Sequence, residues 1–221
     1  DGVLDPLQIN ALALACGDTK VVFMSIDHCG IVKEVLNPMI DQVCHVTGLP
    51  REAVYIHSTH THTGPFLNYN PTEPLEIEYA QLVKRKFADA AKLAIDDLRP
   101  ATMGYGIGDA PNIAFVRRFR MKDGSVRTNP GVDNPDILHP IGDVDERVNV
   151  LRFDREDGQT FVLANFGNHP DVIGGCKFSA DWPGFVRRTT EKVLDDVKCI
   201  VFNGAQGDIN HVNVHPTGGY L

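Results

Sequence analysis

Ser58-Thr59-His60-Thr61-His62-Thr63-Gly64-Pro65 puts two imidazoles two residues apart among small hydroxyl side chains, ahead of a Gly-Pro turn. It follows Ala53-Val54-Tyr55-Ile56-His57, whose first four residues read as a short strand. Imidazoles at i and i+2 on an extended segment that is ending both reach one side of a site, and nothing bulky stands between them. Neutral imidazole is a common zinc ligand and carries protons near neutral pH. Two surface loop histidines would look the same in isolation, so the reading depends on whether the rest of the chain repeats the pattern.

Three other strand ends repeat it. Asp27-His28 follows Val21–Ile26, Asn168-His169-Pro170 follows Phe161–Phe166, and Asp208-Ile209-Asn210 lies in the loop after Cys199–Phe202. In sheets with helical crossovers, ligands gather where loops leave the carboxyl ends of strands. Asp27 suits either this site or the cap of the helix that follows it. Asp208 suits either the site or an Asx turn, and His28 reads more readily as a packed or exposed histidine. His169 is held extended by Pro170, which suits a fixed ligand.

A catalytic zinc takes three protein ligands and leaves a position open. It then lowers the pKa of water and polarises a carbonyl. His60 and His169 are the best candidate ligands. His62 is either a third ligand or a group that moves protons or donates to a developing oxyanion. Arg117, in Arg117-Arg118-Phe119-Arg120, suits a carbonyl or anionic oxygen, although such arginines are ordinarily surface charges. No Gly-x-Ser-x-Gly elbow supports a serine triad.

The elements that must position these residues form an α/β pattern. Residues 8–16 and 20–26 read as a hairpin across Gly17-Asp18-Thr19. Ile31 to Val46 has helical spacing, with Pro38 expected to kink or split it and Gly48-Leu49-Pro50 to end it. A second helix follows Thr72, expected to cap it, and ends at Pro100. Strands are expected at Met103–Ile107, Val148–Phe153, Phe161–Phe166 and Cys199–Phe202, with hairpin turns at Asp123-Gly124 and Asp157-Gly158. Residues 128–146 read as a long irregular loop. A third helix is expected from Asp181 to about Asp195. Together these predict one catalytic α/β domain over 1–221: a mixed, partly parallel sheet flanked by helices, with a polar site at the carboxyl ends of its strands.

Composition agrees. The 221 residues are 43% hydrophobic and 23% charged, with net charge -8, as in an ordinary globular domain. The basic residues form no stripe, so nucleic acid is not an expected partner. No apolar run is long enough for a transmembrane helix. The five cysteines have no CxxC spacing. Cys16, Cys44 and Cys199 lie in apolar runs and are expected to be buried, while Cys29 and Cys176 adjoin polar loops. The abrupt ends suggest trimming, which leaves the compartment and the oligomeric state undetermined.

Six stretches taken in order resemble the neutral/alkaline non-lysosomal ceramidase family: Gly2-Val3-Leu4-Asp5-Pro6-Leu7, Ser25-Ile26-Asp27, Thr59-His60-Thr61-His62-Thr63-Gly64-Pro65, Asn165-Phe166-Gly167-Asn168-His169-Pro170, Asp181-Trp182-Pro183-Gly184 and Asn203-Gly204-Ala205-Gln206-Gly207-Asp208-Ile209-Asn210. The chain looks like the N-terminal catalytic region of that family or a shorter bacterial relative. The resemblance implies a zinc amidohydrolase of sphingolipid metabolism that cleaves an N-acyl amide with a metal-activated water. By it, one Zn2+ ion is held by His60 and His169, while His62, Arg117, Asp208 and Asn210 line the reaction site. It also implies a glutamate and a tyrosine ligand downstream of this chain. The substrate implied is a small or lipid-like acyl amide. One departure stands out. Asn210 takes the place of the family's serine, and an amide cannot act as a nucleophile. Two other readings stand beside this one: a two-metal phosphoesterase, and a non-catalytic, metal-stabilised binding protein.

Overall fold

The computed structural model describes residues 2–68 and 72–215. β1 (Ile9–Cys16) and β2 (Thr19–Ile26) form the expected antiparallel hairpin, in register from Ile9 opposite Ile26 to Cys16 opposite Thr19. β3 (Gly30–Ile31) precedes α1 (Lys33–Thr47). β4 (Val54–Ser58) returns parallel to β2, and β5 (Phe66–Leu67) parallel to β3. After α2 (Pro74–Asp96) come β6 (Ala101–Asp109), β7 (Phe115–Val116), β8 (Arg118–Met121), β9 (Val126–Thr128) and β10 (Ile137–Pro140). β11 (Arg147–Arg155) and β12 (Thr160–Phe166) form a second long hairpin. α3 (Asp181–Val193) crosses to β13 (Val197–Asn203), parallel to β12, and β14 (Ile209–Asn210) closes on β7.

The expected mixed α/β architecture is present, but its long strands divide into two sheets. One has the order β1-β2-β4 and the other β13-β12-β11-β6. Alternation along the strands stacks them. Val22 and Met24 of β2 join Val35, Met39 and Val43 of α1 and Phe87 of α2, while Phe23 between them packs with Leu12, Phe153 and Phe202 of the inter-sheet core. On β13, Ile200 and Phe202 face that core, and Cys199 and Val201 face Trp182 and Val186 of α3. The layers are therefore α1/α2, sheet, sheet, α3. The carboxyl ends of two parallel pairs, β2/β4 and β12/β13, belong to different sheets.

Several local expectations change. Pro38 does not split α1, which runs through as one 15-residue helix. Pro38 sits in the second turn and removes one backbone bond, to the Glu34 carbonyl, while burial of Met39 and Val43 carries the helix past it. Gly48 ends α1 in the left-handed region at φ 72°, its N–H on the Cys44 carbonyl. The N-cap of α2 is Glu73, not Thr72, with Pro74 at the first helical position. The 128–146 loop contains β10, paired with β8, because Ile137 packs on the buried Phe119, Met121 and Val214. Of the three cysteines expected inside, Cys199 is buried, Cys44 half-buried and Cys16 exposed at the end of its hairpin.

Asp27 is not a helix cap either; Val32 occupies that position of α1. The Asp27 carboxylate is fully buried and pairs through both oxygens with Arg187 of α3, at 3.0 Å for Nη1 and with a shorter contact from Nη2. It also accepts from the Gln8 backbone N–H (2.9 Å) and the Thr59 hydroxyl (3.3 Å). Removing one partner strands the other charge. Arg187→Ala or Asp27→Ala is expected to destabilise the fold by roughly 3–5 kcal/mol in urea unfolding.

Burial also pushes two histidines down to about 4: His28, stacked on Tyr79 with Nε2 2.7 Å from its hydroxyl, and His57, against Phe202. Their folded values lie below the usual 6.5, so the unfolded chain takes up the protons first. The stability that they contribute is intact above pH 6.5 and lost as pH falls through 4, by roughly 3 kcal/mol for His28. Urea midpoints measured across that window should show the decline.

Candidate functional site

The His60–His62 loop leaves β4 and is fixed on its inner side. The Thr59 N–H bonds to the Ile26 carbonyl and the His60 N–H to the His28 carbonyl, both at 2.9 Å. The buried Thr61 and Thr63 hydroxyls donate to the Ser179 carbonyl at 2.7 and 3.2 Å. The threonines therefore anchor the loop and do not line the site. Alternation sends the histidines the other way. His60 adopts φ 72°, a left-handed conformation uncommon outside glycine. Gly64 is required where it stands, because a Cβ there would meet the Asp27 carbonyl oxygen at 2.8 Å.

His169 comes from the other sheet, on the loop after β12. Two links hold the loops together. The His62 N–H bonds to the Pro170 carbonyl at 3.0 Å. The buried Asn203 amide donates to the Thr59 carbonyl (3.1 Å) and the Asn168 carbonyl (3.0 Å). Trp182 Nε1 adds a bond to the Asn168 carbonyl at 3.1 Å. The three rings then meet edge to face, with centroids 5.2 Å apart for His60–His62 and 4.9 Å for His169 to each of the others.

The ring nitrogens can be assigned from their partners. His60 Nδ1 lies 2.5 Å from the Cys29 carbonyl oxygen and His169 Nδ1 lies 3.1 Å from that of Gln206. A carbonyl only accepts, so each Nδ1 carries the proton and each Nε2 of the neutral ring offers a lone pair. His62 Nε2 stands 3.1 Å from His169 Nε2 and must therefore be the donor. Burial holds His169 below the usual histidine range, with the nearby Arg117 charge adding to it. Backbone carbonyls on Nδ1 are the arrangement that orients metal-ligating histidines. Beside the rings, Asn168 Oδ1 and Gln206 Oε1 are buried with no hydrogen-bond partner. Imidazole nitrogens oriented in this way are donors of the kind a zinc-type cation takes. Among the described residues His60 and His62 belong to a group of ligand atoms within 4.8 Å of one another, and His62 is exposed.

The other expected site residues lie around this trio. Arg117 spends its fork on the Gly207 carbonyl (3.1 and 2.7 Å), and its N–H bonds to the Asp208 carbonyl at 2.9 Å. It thereby braces the loop whose Gln206 carbonyl holds His169. The Asp208 carboxylate faces Gly142. Asn210 is buried, donating to Asn129 Oδ1 at 3.1 Å and accepting from the Val212 N–H at 3.0 Å. The side chains of Asp27 and His28 turn to Arg187 and Tyr79, and that strand end supports the histidine loop through its backbone and through the Thr59 hydroxyl on the Asp27 carboxylate. Cys29 was not among the expected site residues. Its Sγ and one ligand atom from each of His60 and His62 lie within 4.8 Å of one another. Burial pushes its thiol up. A cavity of about 800 Å³ lies at the far end of the sheets by Cys16 and Thr19, and no candidate residue lines it.

The fold and site together define a mixed α/β chain with a histidine centre where two sheets meet. No family model and no curated protein matches the sequence. Among the solved structures that match the fold are two ceramidases. One is the neutral ceramidase from Pseudomonas aeruginosa, with a TM-score of 0.67 and 17% identity over 93% of this chain and 34% of that one. The other is a ceramidase complexed with C2, with a TM-score of 0.66 and 17% identity over 89% of this chain and 31% of that one. The chain thus spans about a third of the length of these structures.

The Asn203 side-chain amide clamps the two histidine loops. Asn203→Ala leaves two buried carbonyls without that donor and is expected to cost about 1–3 kcal/mol in denaturant unfolding.

Proposed function

We propose that this chain carries the histidine centre of a zinc-dependent hydrolase that cleaves an N-acyl amide, with one Zn2+ ion held by His60 and His169. The observation that carries the reading is the pair of Nδ1–H bonds to the Cys29 and Gln206 carbonyls, which leaves Nε2 as the ligating nitrogen of each ring, with the ring centroids 4.9 Å apart. The likeness in fold to the two ceramidase structures supports the choice of an acyl amide. The bound ion would activate water and polarise the scissile carbonyl.

The protein's own groups divide the remaining work. His60 and His169 are held as neutral ligands. His62 is exposed and presents an Nε2–H, the form that donates to a developing oxyanion or passes a proton to a leaving amine. Arg117 holds the 206–208 loop and with it the carbonyl that orients His169. Asp208 lies on that loop, and Asn210 just after it is buried and held by Asn129 and the Val212 N–H. With an amide at position 210, no hydroxyl nucleophile stands there, which favours direct attack by water. The substrate class is an acyl amide with an apolar, lipid-like acyl group.

Elemental analysis of the purified protein should find one zinc per chain, and His60→Ala and His169→Ala should each lose it. Full occupancy in either variant would remove the ligand assignment. His62→Ala should keep its metal while kcat on N-acyl amides falls by about 100-fold or more. A chelator should abolish the hydrolysis.

A further inference from the structure

The loops after β12 and β13 are joined at two points. His169 Nδ1 donates to the Gln206 carbonyl at 3.1 Å, and in the return direction His211 Nδ1 donates to Asp171 Oδ1, also at 3.1 Å. Asp171 stands one tight turn beyond His169. Its N–H bonds to the His169 carbonyl, and the Pro170 carbonyl between them accepts the His62 N–H, both at 3.0 Å. A single turn of chain therefore carries the His169 ring, the support of His62 and the carboxylate that holds His211. The Asp171 charge is felt at His169, where it opposes the effect of burial. His211 follows the buried Asn210 and has a side chain 35% exposed, against 23% for Asp171. Its ring is thus open to water while the carboxylate fixes it. A carboxylate only accepts, so the neutral ring carries its proton on Nδ1 and a lone pair on Nε2.

Amide hydrolysis must take a proton from the attacking water and deliver one to the amine nitrogen. His60 and His169 are held as ligands, and His62 presents an N–H, which suits the oxyanion. A group that accepts a proton and then returns it needs the opposite form, and His211 has it. On the reading of this chain as an amide hydrolase, we propose that His211 is the proton-transfer residue of the site, with Asp171 as its positioning residue. The water oxygen bonds to the acyl carbon as its proton passes to His211 Nε2. When the C–N bond breaks, its electron pair stays on nitrogen, and the imidazolium returns the proton there. Asp171 keeps Nε2 as the accepting nitrogen and stabilises the imidazolium between the two transfers. The scissile amide then lies between the histidine trio and His211.

The test uses the zinc-loaded protein and an N-octanoyl alkylamine as substrate. His211→Asn keeps a donor for Asp171 but cannot accept a proton. Its kcat should fall by roughly 100-fold or more, with KM and zinc content unchanged. Asp171→Asn offers an N–H to Nδ1 and turns the tautomer, so it should also lower kcat and leave KM alone. Added imidazole should restore turnover to His211→Ala, which a purely structural link between the loops would not show. A measurement on the unaltered chain covers variants that misfold. With isotope-labelled histidine, the His211 Nε2 resonance should be that of an unprotonated nitrogen and should shift when the product octanoate is added. A His211→Asn kcat within about threefold of the unaltered protein, a loss that imidazole does not relieve, or a His211 resonance that octanoate leaves in place overturns this inference while the hydrolase reading stands. Absence of zinc-dependent hydrolysis by the unaltered protein overturns both.

Discussion

The arrangement depends on one buried carboxylate. Asp27 ends β2, yet its oxygens receive Arg187 from α3, the backbone N–H of Gln8 before β1, and the Thr59 hydroxyl at the base of the histidine loop. A buried ion pair is a poor source of net stability, because the desolvation of two charges offsets their attraction. Its effect here is on geometry. A charge that must be satisfied by three partners leaves α3 and the loop after β4 little choice of position. The second-sheet helix is thus tied to the first-sheet loop at the level where His169 has to meet His60 and His62.

Above that anchor the loop sorts its residues by chemistry. Threonine hydroxyls need acceptors when buried, and the Ser179 carbonyl satisfies both Thr61 and Thr63. Alternation then forces the histidines between them outward. His60 takes a left-handed conformation to do so, a strain of order 1 kcal/mol or more that persists only where the surroundings over-determine it. Three such constraints are present: the His28 carbonyl on its N–H, the Cys29 carbonyl on its ring and the Pro170 carbonyl on the N–H of His62. Strain held this firmly belongs to a pre-organised site more than to a surface turn.

Most elements were legible in the sequence because each had one dominant local signal. The β1–β2 hairpin, the β11–β12 hairpin and the three helices follow from period and turn chemistry. His60, His62 and His169 could be singled out because hydrophobic strands end just before them. What local reading could not supply was the layering. The apolar run Val21–Ile26 reads as a strand buried on both faces, but nothing local says that one face meets helices and the other a second sheet. The roles of Asp27 and Asn203 were hidden for the same reason, since Asp27 finds Arg187 160 residues away and Asn203 reaches Thr59 across 144.

The tautomers bear most directly on chemistry. The bond from His62 Nε2 to His169 Nε2 ties the tautomer of one ring to that of the other, and the carbonyl on His169 Nδ1 sets both. The same logic explains why Arg117 spends its guanidinium on the Gly207 carbonyl. If the 206–208 loop moved, His169 would lose the carbonyl that keeps the proton on Nδ1. Its tautomer could then switch, and the lone pair would point away from His60.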